Sequence, residues 1–241
     1  MGLDSRMRLD RLYLCTDART ATGDLEDFLH AVFTGGVDMV QIRQKGMAPA
    51  DELAALTLAR RVASSYQALV VVNDSADLAG EFRADVLHLG QEDGKASQAR
   101  RRLHRWAHIG RSTHDRSQVR QAIREDDIDY FCVGPIYPTP TKPDYAPVGL
   151  DLVRYAADRA PVDDIDAKPW WAIGGITPTT IGDVIAAGAR RVVVVRALTE
   201  AADPEAAARE LKAPLIEAWA TPEMEAYTFA AVGNASKLVR S

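Results

Sequence analysis

The chain has few of the residues that staple small secreted folds or bind soft metals. It has 2 cysteines in 241 residues, Cys15 and Cys132, which excludes a disulfide scaffold. Both sit inside apolar runs and read as buried thiols of a reducing compartment. The 5 histidines are scattered without ligand spacing, so a zinc centre is not expected. His88, inside an apolar run, reads as a satisfied core residue. No apolar stretch approaches the ~20 residues that cross a bilayer, and residues 1–10 carry no secretory signal core. Position 6 is Arg6, where a myristoylation signal needs Ser or Thr. A basic surplus is also missing: 29 Lys+Arg against 34 Asp+Glu leave a formal charge of −5, which argues against bulk capture of nucleic acid. A few fixed cations can still hold an anionic ligand. The expectation is a cytoplasmic protein with neither nucleic-acid nor membrane partners.

No Gly/Ser/Pro linker splits the chain either. Instead, a short apolar run followed by an amphipathic stretch recurs eight times. The runs are Arg11–Thr16, Met39–Arg43, Ala68–Asn73, Val86–Gly90, Ala107–Arg111, Tyr130–Ile136, Trp170–Ile176 and Arg191–Ala197. They are rich in Val, Ile and Leu, as buried strands should be. Pro49 opens one intervening helix through Leu53, Leu56 and Val62. Thr177-Pro178 opens another, which stops near Gly188. Such alternation implies parallel strands joined by helical crossovers. An open doubly wound sheet satisfies it, but eight regular units favour a closed (β/α)8 TIM barrel, whose usual length is roughly 250 residues. Residues 1–220 are assigned to this single domain and 221–241 to a flexible tail.

A strand covered on both faces should be almost wholly apolar. Met39-Val-Gln-Ile-Arg-Gln-Lys45 breaks that rule in an ordered way. Val40 and Ile42 fall on one face and Gln41, Arg43 and Lys45 on the other, by the two-residue period of a strand. In a barrel the second face meets the lumen or its mouth, where two cations call for an anionic ligand. A solvated edge strand would explain the pattern too, but a closed barrel has no edge.

Val70-Val-Val-Asn73-Asp74 and His88-Leu-Gly-Gln-Glu-Asp93 end adjacent strands at the rim where barrel active sites form. Singly, Asp74 and Asp93 each suit helix capping. Together, with phosphate oxygens nearby, they suit Mg2+, a hard octahedral ion. Gly110-Arg-Ser112 ends the fifth run in a hydroxyl. The sixth run leads into Gly134-Pro-Ile-Tyr-Pro-Thr139-Pro140-Thr141-Lys142, a hydroxyl-rich loop whose prolines restrict it. Gly174-Gly175 after strand seven lets backbone N–H groups approach an anion, and Val195-Arg196 follows strand eight. These two loops form the usual phosphate site of such barrels.

Taken together, the motifs from Val40-Gln-Ile-Arg-Gln-Lys45 to Ile173-Gly-Gly-Ile176 resemble the thiamine-phosphate synthase (thiamine-monophosphate pyrophosphorylase) family, over roughly Leu12 to Leu198. The resemblance implies a Mg2+-dependent transferase for small phosphorylated heterocycles. It would join 4-amino-2-methyl-5-hydroxymethylpyrimidine diphosphate to 4-methyl-5-(2-phosphoethyl)thiazole and release diphosphate. It assigns Gln41, Ile42, Arg43, Gln44, Lys45 and Asn73 to the pyrimidine diphosphate, and Asp74 and Asp93 to the metal. Ser112 and Lys142 fall near the diphosphate, with Arg43 and Lys45 as catalytic partners. Thr139, Pro140, Thr141, Gly175, Val195 and Arg196 fall on the thiazole phosphate. Arg196 stands where many members carry a small hydroxyl residue, so its guanidinium either adds a contact or fills the space. Gln44 stands where Glu is common. A related thiazole tautomerase would not need Arg43, Lys45, Asp74 and Asp93 together, and a non-catalytic sensor of thiazole phosphate would release no diphosphate.

Overall fold

The computed structural model describes residues 1–140 and 146–238. Eight strands appear where the apolar runs predict them: β1 (Leu12–Thr16), β2 (Met39–Ile42), β3 (Leu69–Asn73), β4 (Val86–Leu89), β5 (His108–Thr113), β6 (Tyr130–Val133), β7 (Trp170–Ile173) and β8 (Val192–Val194). All neighbours are parallel, and β8 pairs back onto β1 to close the barrel in sequence order. The helices are α1 (Leu3–Leu9), α2 (Leu25–Thr34), α3 (Pro49–Ser65), α4 (Ala76–Phe82), α5 (Ala96–Arg100), α6 (Arg116–Arg124), α7 (Gly149–Arg159), α8 (Ile181–Ala186), α9 (Arg196–Thr199), α10 (Pro204–Trp219) and α11 (Pro222–Leu238).

Strand alternation sorts the side chains into two cores. Leu12, Leu14, Val40, Ile42, Val70 and Val72 point outward beneath the helices. Tyr13, Met39, Leu69, Val71, Val86, Tyr130 and Trp171 fill the lumen. Each such aliphatic side chain contributes ~1.5–3 kcal/mol on full burial. Helix α1 closes the lower end of the barrel with Met7, which is 1% exposed. The upper end, where the strands finish, is left to the βα loops.

Two helices depart from expectation. Helix α8 begins at Ile181 rather than at Thr177-Pro178. Thr180 Oγ1 accepts the Thr177 N–H at 2.9 Å and contacts its hydroxyl, and these local bonds hold 177–180 in a turn. Residues 222–238, expected as a flexible tail, form α11. The Thr221 hydroxyl accepts the Met224 N–H, Pro222 suits the first turn, and Met224, Tyr227 and Ala231 bury one narrow stripe beside Trp219. Ser5 Oγ donates to Ala231 O at 2.7 Å, tying α11 to α1.

Tyr227 also explains how Arg191, 1% exposed, survives burial. The guanidinium donates to Arg8 O and the Tyr227 hydroxyl and lies over the rings of Trp219 and Tyr227. Tyr227→Phe strips one acceptor from a buried cation. It is expected to cost about 1–3 kcal/mol, measured as a lower urea midpoint with unchanged slope.

Candidate active site

The loops after the strands enclose a cavity of about 510 Å³. The lumen-facing residues of β2 and β3 form part of its floor. Gln41 donates through Nε2 to Asn73 Oδ1 at 3.0 Å, which fixes two amides side by side. Just beyond β2, the Arg43 N–H donates to Thr16 O at 2.7 Å. The half-buried Arg43 side chain lines this cavity and an adjoining hollow of about 360 Å³, and Lys45 lines the main cavity beside it.

Asp74 and Asp93 meet at the same rim. Asp74 adopts φ +60°, a left-handed conformation that an acidic side chain tolerates better than most. Burial, and then the neighbouring Asp93 carboxyl, push the Asp74 carboxyl up to about 6, against a smaller opposing pull from Asn73 and Arg43. Neither aspartate caps a helix. Ser75 caps α4 by accepting the Leu78 N–H, and Asp93 Oδ2 accepts the Gly90 N–H at 2.7 Å, closing its own loop. Arg111 braces that loop from outside the barrel, donating to Gly90 O at 2.6 Å and Gly94 O at 3.1 Å. Among the described residues no group of three His, Cys, Asp or Glu could hold a metal. The cavity lining carries the Asp74 and Asp93 carboxylates together with Glu92 and leaves room for water or phosphate oxygens.

On the far wall, Ser112 from β5 faces the cavity, as do Thr139, Gly175, Val195 and Arg196. Gly174 and Gly175 have φ +105° and +67°. A Cβ on Gly174 would lie 2.5 Å from Pro135 Cα, and one on Gly175 2.7 Å from Tyr137 Cβ. Glycine is thus required for close packing of the β7 loop on the β6 loop. Helix α8 starts only at Ile181, so no helix N-terminus stands at Gly175. Arg196 reaches Glu200 at 3.9 Å and keeps its side chain 45% exposed.

Three of the expected contact residues lie elsewhere. Ile42 is fully buried beneath the helices, on the face opposite Gln41. Gln44 turns to the β1–α2 loop, accepting the Ala18 N–H at 3.1 Å and pairing with Thr20. Pro140 is exposed beside Thr139 and does not line the cavity. Thr141 and Lys142 lie outside the described residues. In turn, His88, read as plain core, reaches the cavity, and so do Gln91, His114 and Thr177. Strand period places His88 on the lumen face with Gln41 and Asn73, a signal present in the sequence. No motif pointed to His114.

Comparison with known proteins agrees with this architecture. The family model described as thiamine monophosphate synthase matches residues 12–198. A thiamine-phosphate synthase of Mycobacterium marinum is 51% identical over 225 residues, covering 90% of this chain and 100% of that protein. One from Thermobifida fusca is 50% identical over 216 residues, covering 90% and 97%. Among solved structures, a thiamine phosphate pyrophosphorylase from Pyrococcus furiosus superposes with a TM-score of 0.76 at 27% identity, covering 88% of this chain and 98% of that one. With its closed barrel and its cavity at the strand ends, the chain belongs to the thiamine monophosphate synthase family, whose reaction couples a pyrimidine to a thiazole.

Proposed function

We propose that the cavity performs this coupling as a Mg2+-dependent, dissociative substitution. Arg43, Lys45, Ser112 and Lys142 would stabilise the departing diphosphate, and Asp74 and Asp93 would hold the metal. The observation that carries this reading is the meeting of an acidic pair with Arg43 and Lys45 around one cavity. A half-buried carboxyl on Asp74 and an exposed one on Asp93 that repel one another, with only oxygen donors, fit a hard divalent ion that keeps several waters. When bound, Mg2+ neutralises charge on diphosphate oxygens.

The chain's own residues would supply the rest. Gln41 gives an amide N–H to Asn73 Oδ1 and keeps its Oε1 for the amine of an aminopyrimidine, while Asn73 also bonds the Asp74 carboxyl. Arg43 and Lys45 present fixed positive charge where negative charge develops as the diphosphate leaves. The resulting pyrimidinylmethyl cation is met by the thiazole nitrogen, so no protein nucleophile is needed. Thr139, Gly175, Val195 and Arg196 would orient the thiazole phosphate, joined on the resemblance alone by Thr141, while Lys142 joins the diphosphate site on the same ground. We also propose a cytoplasmic location, where the buried thiols of Cys15 and Cys132 stay reduced.

A diphosphate-release assay with both substrates tests the whole. Release should require the pyrimidine diphosphate, the thiazole phosphate and Mg2+ together. Binding of thiazole phosphate without release would instead indicate a sensor. Arg111→Ala gives a second check. With its brace on Gly90 and Gly94 gone, the Asp93 loop should loosen, raising half-saturating Mg2+ roughly 10–100-fold, as loss of outer support does at metal sites. Magnesium titrations of turnover and of thermal stability should shift together.

A further inference from the structure

Behind Ser112 stand two polar side chains, His88 and Tyr130, that the proposed chemistry does not use. His88 Nδ1 lies 3.1 Å from the Tyr130 hydroxyl, and His88 Nε2 lies 3.0 Å from Ser112 Oγ. All three are buried: Tyr130 is 0%, His88 7% and Ser112 8% exposed. The backbone is arranged to permit the contact. Gly110 pairs in register with His88 on one side and Tyr130 on the other. A Cβ there would fall 2.0 Å from Tyr130 Cζ, so the missing side chain is what lets the tyrosine ring reach across β5 towards β4.

Apolar residues of the same volume would fill this space without the desolvation cost of three polar groups. A serine at a cavity wall otherwise chooses among three staggered rotamers, and its hydroxyl proton rotates freely. Here an imidazole held from behind restricts both. Burial keeps the Tyr130 hydroxyl protonated, its pKa raised well above the ordinary value, so it stays available as a donor. If Tyr130 donates to Nδ1, the Nε2–H donates to Ser112 Oγ, and the serine proton is left to face the cavity.

We propose that His88 is a positioning residue. Anchored by Tyr130, it fixes the rotamer of Ser112 and turns its O–H towards the departing diphosphate. This rests on the reading of Ser112 as a diphosphate contact, and the experiment separates the two. Kinetic constants are measured for Ser112→Ala, His88→Leu, His88→Gln and the Ser112→Ala/His88→Leu double variant, with folding checked by circular dichroism. Each single loss of the interaction should lower kcat about a hundredfold and leave KM for the thiazole phosphate within about twofold. The double variant should match Ser112→Ala, because a residue that acts through another adds nothing once that other is gone. Gln, which can still donate to Ser112, should recover part of what Leu loses.

Wild-type kcat in His88→Leu, or a double variant as slow as the product of the two singles, would overturn the positioning role while Ser112 keeps its own. Wild-type kcat in Ser112→Ala would remove the contact itself and the proposal with it. If His88→Leu does not fold, Tyr130→Phe replaces it in the same cycle. That variant keeps the ring over Gly110 and removes only the hydroxyl, and the same two outcomes apply.

Discussion

Arg43→Ala is expected to lower turnover at least a hundredfold and to leave the protein folded. The side chain is half-buried at the junction of two hollows, where surrounding protein reduces water's screening and a fixed charge acts more strongly than in bulk solvent. Diphosphate departure concentrates negative charge on oxygen within that space. Loss of one preorganised donor at such a position costs ~3–4 kcal/mol of barrier, or roughly 10²–10³ in rate. Folding should be spared, because the residue anchors to β1 through its backbone N–H, which alanine keeps. Arg43→Lys restores charge but not the planar fork, so it should recover only part of the rate. Single-turnover assays under saturating substrates, with thermal melts as the folding control, measure both. Wild-type turnover in Arg43→Ala would remove the charge-stabilisation account.

Much of this was legible in the sequence because a closed parallel barrel imposes strict patterning. Each apolar run became a strand, since strands covered on both faces must be apolar. Gln41, Arg43 and Lys45 announced the lumen mouth by violating that rule with a two-residue period. Asp74 and Asp93 gave a weaker signal, as each alone resembles a cap. The ambiguity ends only with Ser75 and Gly90 in view, one taking the capping role and the other occupying an Asp93 oxygen. Ile42 was overassigned, because a contiguous motif does not respect alternation: its neighbours face the cavity while it faces the helices. Gln44 belongs to a loop, where no periodicity governs direction. Helix α11 was missed because its buried stripe rests on only Met224, Tyr227 and Ala231, and its partner surface, α1 with Trp219, exists only after folding. The Tyr130–His88–Ser112 chain was hidden for the same reason. It depends on what Gly110 leaves out.

Asp74→Asn should raise the Mg2+ requirement steeply, by roughly 10–100-fold or more, while making the metal-free protein more stable at neutral pH. Asp74 stands at about 6 in the fold against an ordinary 3.8, so the folded chain binds this proton more tightly than the unfolded one. By linkage, the stability associated with it is present below about pH 4 and is lost as pH rises towards and through about 6. An asparagine cannot ionise and suffers no such loss. The difference between wild type and Asp74→Asn should therefore be small near pH 4 and favour the variant at pH 7. Added Mg2+ reverses the ranking, because a cation between Asp74 and Asp93 favours the ionised carboxylates and its binding releases the proton. Wild type should then gain more thermal stability from Mg2+ at pH 7 than at pH 5, and Asp74→Asn should gain little at either. Asp93→Asn should share the weakened metal response, and by removing the repelling neighbour it should lower the pH at which Asp74 ionises. Thermal melts across this range, with and without Mg2+, separate these effects without any turnover measurement. Identical metal responses in wild type and both variants would show that the two carboxylates hold no magnesium, whatever their effect on rate.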